Sequence, residues 1–307
     1  MEVTFPVSGV VTDLWLPPLV ALAVSYVASM GGISGAVLLL PYQMSVLGFV
    51  SPAVSPTNLV FNIVAIPSGV WRYVREGRMV WPLAWIIAAG SLPGVVLGGI
   101  VRLGLLHALR PFQGFVGCVL LVVGGRLLLD VATGRRAKSA NEPVPSQGTG
   151  TGQRVVVREL SWQRLSYEYS GETHSCAPVW VVAMSLAVGI IGGIYGVGGG
   201  AIIAPLLITT WRLPVHTVAG PTLFGTLLTS AAGVAFYEIA ARFLPAMAVA
   251  PDLLLGSLLG LGGAVGMYLG ARTQRLVPAL WLKLVLGAVV VWLAVRYLGS
   301  FVGWPRA

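Results

Sequence analysis

Apolar residues gather into eight runs along this chain, at about Leu14 to Leu40, Ala53 to Val70, Val80 to Val101, Leu109 to Leu129, Pro178 to Thr209, Val215 to Ala241, Leu253 to Ala271 and Ala279 to Leu298. Most are close to the roughly 20 residues that an α-helix needs to cross a bilayer. The first and fifth are too long for one crossing and are interrupted by glycines. The pattern predicts an all-α integral membrane protein whose first and fifth segments are broken or re-entrant helices. The break is densest at Gly192 to Gly200, where GGIYGVGGG places six glycines in nine residues. Each glycine costs a helix roughly 1 kcal/mol relative to alanine. Inside a bilayer, such backbone is tolerated only where protein or a water-filled cavity covers it. The stretch is therefore a candidate binding site.

The runs fall into two similar halves. GGISG at Gly31 to Gly35 matches GGIYG at Gly192 to Gly196, Pro41 matches Pro205, and Ser55-Pro56-Thr57 matches Gly220-Pro221-Thr222. Gly90, Gly94 and Gly98 recur as Gly262, Gly266 and Gly270, and Gly117 with Arg126 recurs as Gly287 with Arg296. In this alignment the second copy carries about three extra residues, its VGGG, before the proline. The chain thus divides into a first transmembrane repeat (residues 1–130), a polar linker (131–177) and a second transmembrane repeat (178–307). The linker is rich in Gly, Pro and Ser, as flexible connections are. Its later part, RVVVRELSWQRLSYEYS, suits either a short strand or a surface helix. Glycines spaced by four have an ordinary role in packing membrane helices closely.

Composition sharpens the class. Of 307 residues, 56% are hydrophobic and 9% charged, against about 25% charged in soluble domains. The net charge of +9 would suggest nucleic acid in a soluble protein. Here Lys and Arg lie between apolar runs, so the charge reads as topology and no nucleic-acid partner is expected. Cys118 in a span and Cys176 at the linker's end suggest neither a disulfide nor a metal site, and no cofactor is expected. The N-terminus carries Glu2 and Asp13 but no Lys or Arg before the first apolar run, so it lacks the basic region of a cleavable signal and the first span is expected to be retained.

Repeats in transporters are often related by an axis in the membrane plane, with broken helices meeting near the midplane. If the first run enters and returns, the halves are inverted; if it crosses once, they are parallel. Lys and Arg divide fourteen to five between the two sides in the inverted arrangement and thirteen to six in the parallel one, so the positive-inside rule does not decide. Both arrangements put the linker and the Arg72 to Arg78 loop in the cytoplasm. The uncharged-to-acidic N-terminus favours inverted repeats with both termini outside the cytoplasmic membrane.

GGIYGVGGGAIIAPLL followed by LPVHTVAGPTLFGTLLTSAAG, with its echo GGISGAVLLLPYQMSVLGFVSPAVSPTNLVF, resembles the sulfite exporter family TauE/SafE, over nearly the whole chain apart from the linker and tails. The resemblance implies a permease for sulfite, sulfonates or related sulfur-containing anions, often with proton coupling. GGISGAV lacks the triple glycine of the fuller pattern, so the two half-sites are not expected to be identical.

The residue chemistry points the same way. A helix restarting after glycines presents free N–H groups and a positive dipole end, which attract an anion without a basic side chain, and successive glycine amides form an anion-binding nest. Gly198, Gly199 and Gly200 are the first candidates, with Gly32, Ser34 and Gly35 as their counterparts. Polar side chains to complete the site are Ser55, Thr57 and Asn58, together with Thr222, Thr226 and Thr229 on one helix face, and Tyr195 and Gln43. Against that reading, Ser and Thr in membrane helices commonly bond back to their own helix or cap it. Glu238 and His216 are the candidate groups for a proton relay, although Glu238 also stands four residues from Arg242, at ion-pair spacing. The expected ligand is a small sulfur-containing anion in a lipid setting. A membrane-embedded enzyme would need clustered His, Asp, Glu or Cys in its spans, and the sequence has none. A passive anion channel, or a carrier of a non-sulfur anion such as a carboxylate, remains the rival reading.

Overall fold

The computed structural model describes residues 2–31, 34–132, 155–273 and 279–303. Each apolar run forms helix, and the two glycine-interrupted runs each form two. The first repeat comprises α1 (Leu16–Gly31), α2 (Gly35–Ser45), α3 (Val54–Ala65), α4 (Pro67–Arg75), α5 (Trp81–Gly104) and α6 (Leu109–Ala132). The second comprises α7 (Pro178–Tyr195), α8 (Gly200–Trp211), α9 (Val215–Phe243), α10 (Leu253–Thr273) and α11 (Ala279–Val302). Among the described residues six helices, α5, α6, α7, α9, α10 and α11, contain stretches long and apolar enough to cross a membrane, and Leu16–Ser29 of α1 is a shorter apolar helix. The second run was expected as one span, but it divides at Ile66. Pro67 lacks the N–H to continue α3, and it opens α4 at a position where proline is tolerated.

Close helix approaches fix the direction of every pass. The carbonyls of Pro18, Leu22 and Tyr26 sit directly over Gly262, Gly266 and Gly270, so α1 and α10 run parallel with no room for a Cβ between them. The same contact joins α7 to α5, where Val182, Leu186 and Ile190 sit over Gly90, Gly94 and Gly98. The glycines expected to serve packing do so. Leu59 meets Gly233 while Gly69 meets Leu223, so α3 with its continuation α4 is antiparallel to α9. Gly114, Gly117 and Gly124 meet Phe301, Leu298 and Val291, so α6 is antiparallel to α11. Ile87 meets Gly225 and Phe236 meets Gly99, so α5 and α9 are parallel; Val60 meets Gly256 and Val64 meets Gly260, so α3 and α10 are parallel. Every helix therefore runs opposite to its counterpart in the other half, as an axis in the membrane plane requires.

The same directions locate the return pass. Both α1 and α3 are parallel to α10, so the chain must come back between them, and α2 is the segment that does so. Gly35 lies against Ser25, ten residues earlier, whereas a straight helix would separate them by about 15 Å. Gly199 lies against Gly189 in the same way. With 11 and 12 residues, α2 and α8 are about 17 Å long, half the hydrocarbon thickness.

Short strands outside the helices add to the expected all-α architecture. Glu2–Thr4 (β1) pairs with Val11–Asp13 (β2). This hairpin is tied to the start of α10 through Ser8, whose N–H and hydroxyl donate to Asp252 Oδ2 at 3.1 and 2.8 Å. The described part of the linker is an antiparallel sheet of Val156–Leu160 (β3), Leu165–Tyr169 (β4) and Glu172–Cys176 (β5). Leu165, Tyr167 and Tyr169 alternate toward Leu83, Ile87, Ile203 and Val218, so the sheet caps the ends of α5, α8 and α9. Tyr167 and Thr217 share a 2.7 Å hydroxyl contact. The opening GRRAKSANEPVPSQGTGTGQ lies outside the described residues.

Replacing Gly266 by alanine, whose Cβ would run into the Leu22 carbonyl, should cost about 1–3 kcal/mol by overpacking. Gly125 has open space around it, so its alanine variant should gain up to about 1 kcal/mol from helix propensity. Thermal unfolding of the purified protein measures both; equal effects would contradict the α1–α10 contact.

Candidate functional site

The break in the second repeat begins where α7 ends in a left-handed turn. Gly196 has φ +85° and its N–H donates to Gly192 O at 2.8 Å, with Val197 N–H sharing that acceptor at 3.1 Å. A side chain at 196 would strike Ser55 backbone atoms, so glycine serves both the turn and the approach of α3. Gly198, at φ +75°, turns the chain again, and Gly199 is the N-cap of α8. In the first repeat Ser34 caps α2, its hydroxyl accepting from Ala36 N–H at 3.3 Å; Gly32 lies outside the described residues.

The two breaks correspond differently from the alignment of GGISG with GGIYG. Pro18, Leu22 and Tyr26 pack as Val182, Leu186 and Ile190 do, always 164 residues apart, and Pro41 and Pro205 have the same offset. Ser34 is therefore the counterpart of Gly198, and Gly35 that of Gly199. The VGGG stretch is not an insertion: GGIYG matched GGISG one helical turn out of structural register.

The breaks meet around α3. Asn58, fully buried, donates through Nδ2 to Ala36 O (2.9 Å) at the start of α2 and to Gly196 O (3.0 Å), and its Oδ1 accepts from Gln43 Nε2 (3.3 Å). Ser55 donates to Ile194 O at 2.9 Å, and Tyr195 donates to Val37 O at 2.8 Å, joining the two breaks directly. Asn62, one turn after Asn58, donates to Val197 O at 2.9 Å. Sequence reasoning missed Asn62, although its spacing of four from Asn58 in an apolar span was a usable signal. These bonds satisfy the carbonyls that the breaks expose.

Several expected substrate donors are thus engaged within the protein. Thr57 donates to Ala53 O (2.7 Å) and accepts from Asp252 N–H (2.9 Å), away from the breaks. Thr222 bonds back to Val218 and Ala219, and Thr226 bonds back to Thr222 O, turning its methyl group toward Gly198. Thr229 bonds back to Gly225 O at 2.8 Å while accepting from Gly199 N–H at 3.3 Å. Helix back-bonding explains the threonines better than an array of free donors does.

What remains suited to an anion is largely backbone. The first N–H groups of α2 and α8 have no acceptor within their own helices, and the dipole makes each end attractive to negative charge. Beside each end lies a fully buried hydroxyl without a hydrogen-bond partner among the described residues: Ser25 Oγ over Gly35, and Ser230 Oγ 3.1 Å from where a Cβ of Gly198 would stand. Neither serine was singled out in the sequence. The α8 end lies at mid-depth, level with Ser91 of α5 and with Thr226 to Ser230 of α9.

The relay candidates are not at this place. Glu238 lies about 12 Å along α9 from Ser230, and residue 216, on the other side, about 21 Å from it. The His216 side chain lies outside the described residues. No ion pair joins Glu238 to Arg242 among the described residues, contrary to their spacing. Both cysteines are free, and burial pushes the Cys176 thiol up to about 11. No cluster of three or more His, Cys, Asp or Glu able to hold a metal occurs among the described residues.

One charge was missed. Arg102, which directly follows the apolar run Val80 to Val101 in the sequence, is 1% exposed in the last turn of α5, with its Nε 3.3 Å from Ser55 Oγ. Its place at the edge of an apolar run, with His107 and Arg110 soon after, hid its burial.

An inverted pair of helical repeats, each with a fold-back helix whose N-terminus is buried in the membrane domain, is the architecture of a multi-pass membrane transporter. The chain belongs to the family described as sulfite exporter TauE/SafE, which it matches over residues 18–297. Among curated relatives, it is similar to "Probable membrane transporter protein YunE" of Bacillus subtilis, with 23% identity over 84% of this chain and 90% of that protein. It is likewise similar to "Probable membrane transporter protein y4hK" of Sinorhizobium fredii, with 23% identity over 81% of this chain and 83% of that one. No solved structure matches significantly.

Asn58→Ala removes the donor to Ala36 O and Gly196 O. It should destabilise the protein by about 1–3 kcal/mol for each carbonyl left buried and unpaired. Chemical unfolding in detergent reads this; a neutral variant would mean that the carbonyls have other partners.

Proposed function

We propose that the protein is a secondary transporter that moves sulfite, an organosulfonate or a related sulfur-containing anion across the cytoplasmic membrane. The anion is held near the midplane between the N-termini of α2 and α8, and rocking of the inverted repeats exposes it to each side in turn. The observation that carries this reading is the pairing of each helix N-terminus with a buried, unpartnered serine hydroxyl, at Ser25 and Ser230. A sulfur oxyanion presents three oxygens to such donors, and hydroxyls and amides cost less to bury than a charged side chain.

Orientation follows from charge. Arg72, Arg75 and Arg78 lie at one end, on and just after α4, and Arg158 and Arg164 stand on the sheet joined to that end through Val155 N–H and Gly77 O. The positive-inside rule makes that end cytoplasmic, with both termini outside. Transport needs neither a cofactor nor a nucleic acid in this mechanism.

Proteoliposomes loaded on one side with sulfite, thiosulfate, methanesulfonate or acetate should show saturable flux of the sulfur anions, with acetate a weak competitor. Flux of acetate alone, or flux of none of them, would overturn the substrate assignment, and non-saturating flux would favour a channel. A side chain at residue 199 would meet Ser91 Cβ at 2.9 Å and fill the head of α8. Gly199→Leu should therefore abolish transport while the protein still inserts; full activity would remove this helix end from the site.

A further inference from the structure

Arg102 has an environment that a purely structural arginine in a membrane protein seldom has. Its side chain is buried in the last turn of α5, yet no carboxylate pairs with it among the described residues. The Arg–Glu pairs among the described residues, Arg72–Glu76, Arg78–Glu76 and Arg158–Glu168, lie outside the spanning helices. The guanidinium is nevertheless held in one place. Nε approaches Ser55 Oγ at 3.3 Å, Nη1 donates to Leu106 O, and Cζ lies 3.7 Å from the centroid of the Phe112 ring. Nη2 has no hydrogen-bond partner among the described residues.

Ser55 connects this cation to the break. Its hydroxyl accepts from Arg102 and donates to Ile194 O at 2.9 Å, and its carbonyl lies against Gly196. The positive charge thus stands one residue away from the turn that leads into α8. A buried cation without a counter-charge carries an uncompensated desolvation cost. Lysine or glutamine would cap the end of α5 as well, without presenting a planar fork.

We infer that Arg102 is the charge-recognition residue of the anion path: it pairs with an oxyanion at the termini-bearing mouth, through the Nη2 end of the guanidinium, which has no partner among the described residues. The helix ends supply partial charges of about +0.5 each; Arg102 supplies the one full charge at the break. Its fork matches two oxygens of one anion, so it selects oxyanions such as sulfite, sulfonates and carboxylates over spherical halides. The inference rests on the anion-transport reading, but not on sulfur being the substrate element.

The test is the concentration-dependent thermal stabilisation of the purified full-length protein by sulfite, methanesulfonate, acetate and chloride, for the wild type, Arg102→Gln and Arg102→Lys. Wild type should be stabilised by an oxyanion more than by chloride. Arg102→Gln should raise the half-saturating oxyanion concentration at least about tenfold, consistent with losing a charge-assisted hydrogen bond. Arg102→Lys should keep anion binding but lose the preference over chloride, a change that a helix cap would not produce. Unchanged half-saturation in Arg102→Gln overturns the inference. So does a lower anion-free melting temperature in both variants with the anion response retained, which would make Arg102 a structural cap. If Arg102→Gln does not fold, Arg102→Lys alone decides, since unaltered oxyanion preference there also overturns it. No response of the wild type to any anion overturns it as well. A response to acetate but to neither sulfur anion sinks the substrate assignment and leaves Arg102 in its role.

Discussion

Backbone polar groups that leave a helix inside a membrane must find partners within the protein. That constraint organises this structure. The break between α7 and α8 exposes the carbonyls of Ile194, Gly196 and Val197, and α3 of the opposite repeat meets them with Ser55, Asn58 and Asn62 in turn. Because the same Asn58 also holds Ala36 O, the start of α2 cannot move independently of the break in the second repeat. Tyr195 reinforces the link through Val37 O. At the opposite pole of each fold-back helix, its N–H end, the protein supplies fewer partners: Ser34 accepts from Ala36 and Val37 at the start of α2, and Thr229 accepts from Gly199 before α8. The polar side chains around the breaks are chiefly scaffolding, and the helix ends are what they hold in position.

The frame that carries the breaks is built from glycine contacts. The pairs α1–α10 and α5–α7 each join the first helix of one repeat to a long helix of the other, with carbonyls seated on Gly262, Gly266 and Gly270 or on Gly90, Gly94 and Gly98. Hydrophobic burial gives little drive for helices to associate in lipid, so such close packing carries the association. Each fold-back helix packs chiefly within its own repeat, α2 against α1 and α3, and α8 against α7 and α9. Relative motion of repeats joined in this way would change both breaks together, as alternating access requires.

Much of this was legible in the sequence, for physical reasons. Spans are set by bilayer thickness and appear as apolar runs, so all eight runs coincide with helices. The two overlong runs, with their glycines, announced the fold-back helices, and the recurring glycines announced the packed pairs. Less legible was whatever depends on partners distant in the chain. Thr222, Thr226 and Thr229 shared a face, but only the fold shows their hydroxyls bonded to the preceding turn. Ser25 and Ser230 carry no signal until a helix end is placed beside them. GGISG matched GGIYG by composition, and the helix contacts had to reveal that Ser34 stands opposite Gly198. The linker segment that forms the sheet resembled either a strand or a surface helix until Leu165, Tyr167 and Tyr169 met α5, α8 and α9.

The central claim is that a small oxyanion is held by backbone N–H groups where α2 and α8 begin. Locating bound selenite, a heavy analogue of sulfite, by its anomalous scattering in crystals of the protein tests this most directly. The account predicts a selenium peak within hydrogen-bonding distance of the first turn of α2 or α8, between Ser25 and Ser230. A peak confined to the protein surface, with those helix ends filled by side chains or by nothing at saturating selenite, would contradict it.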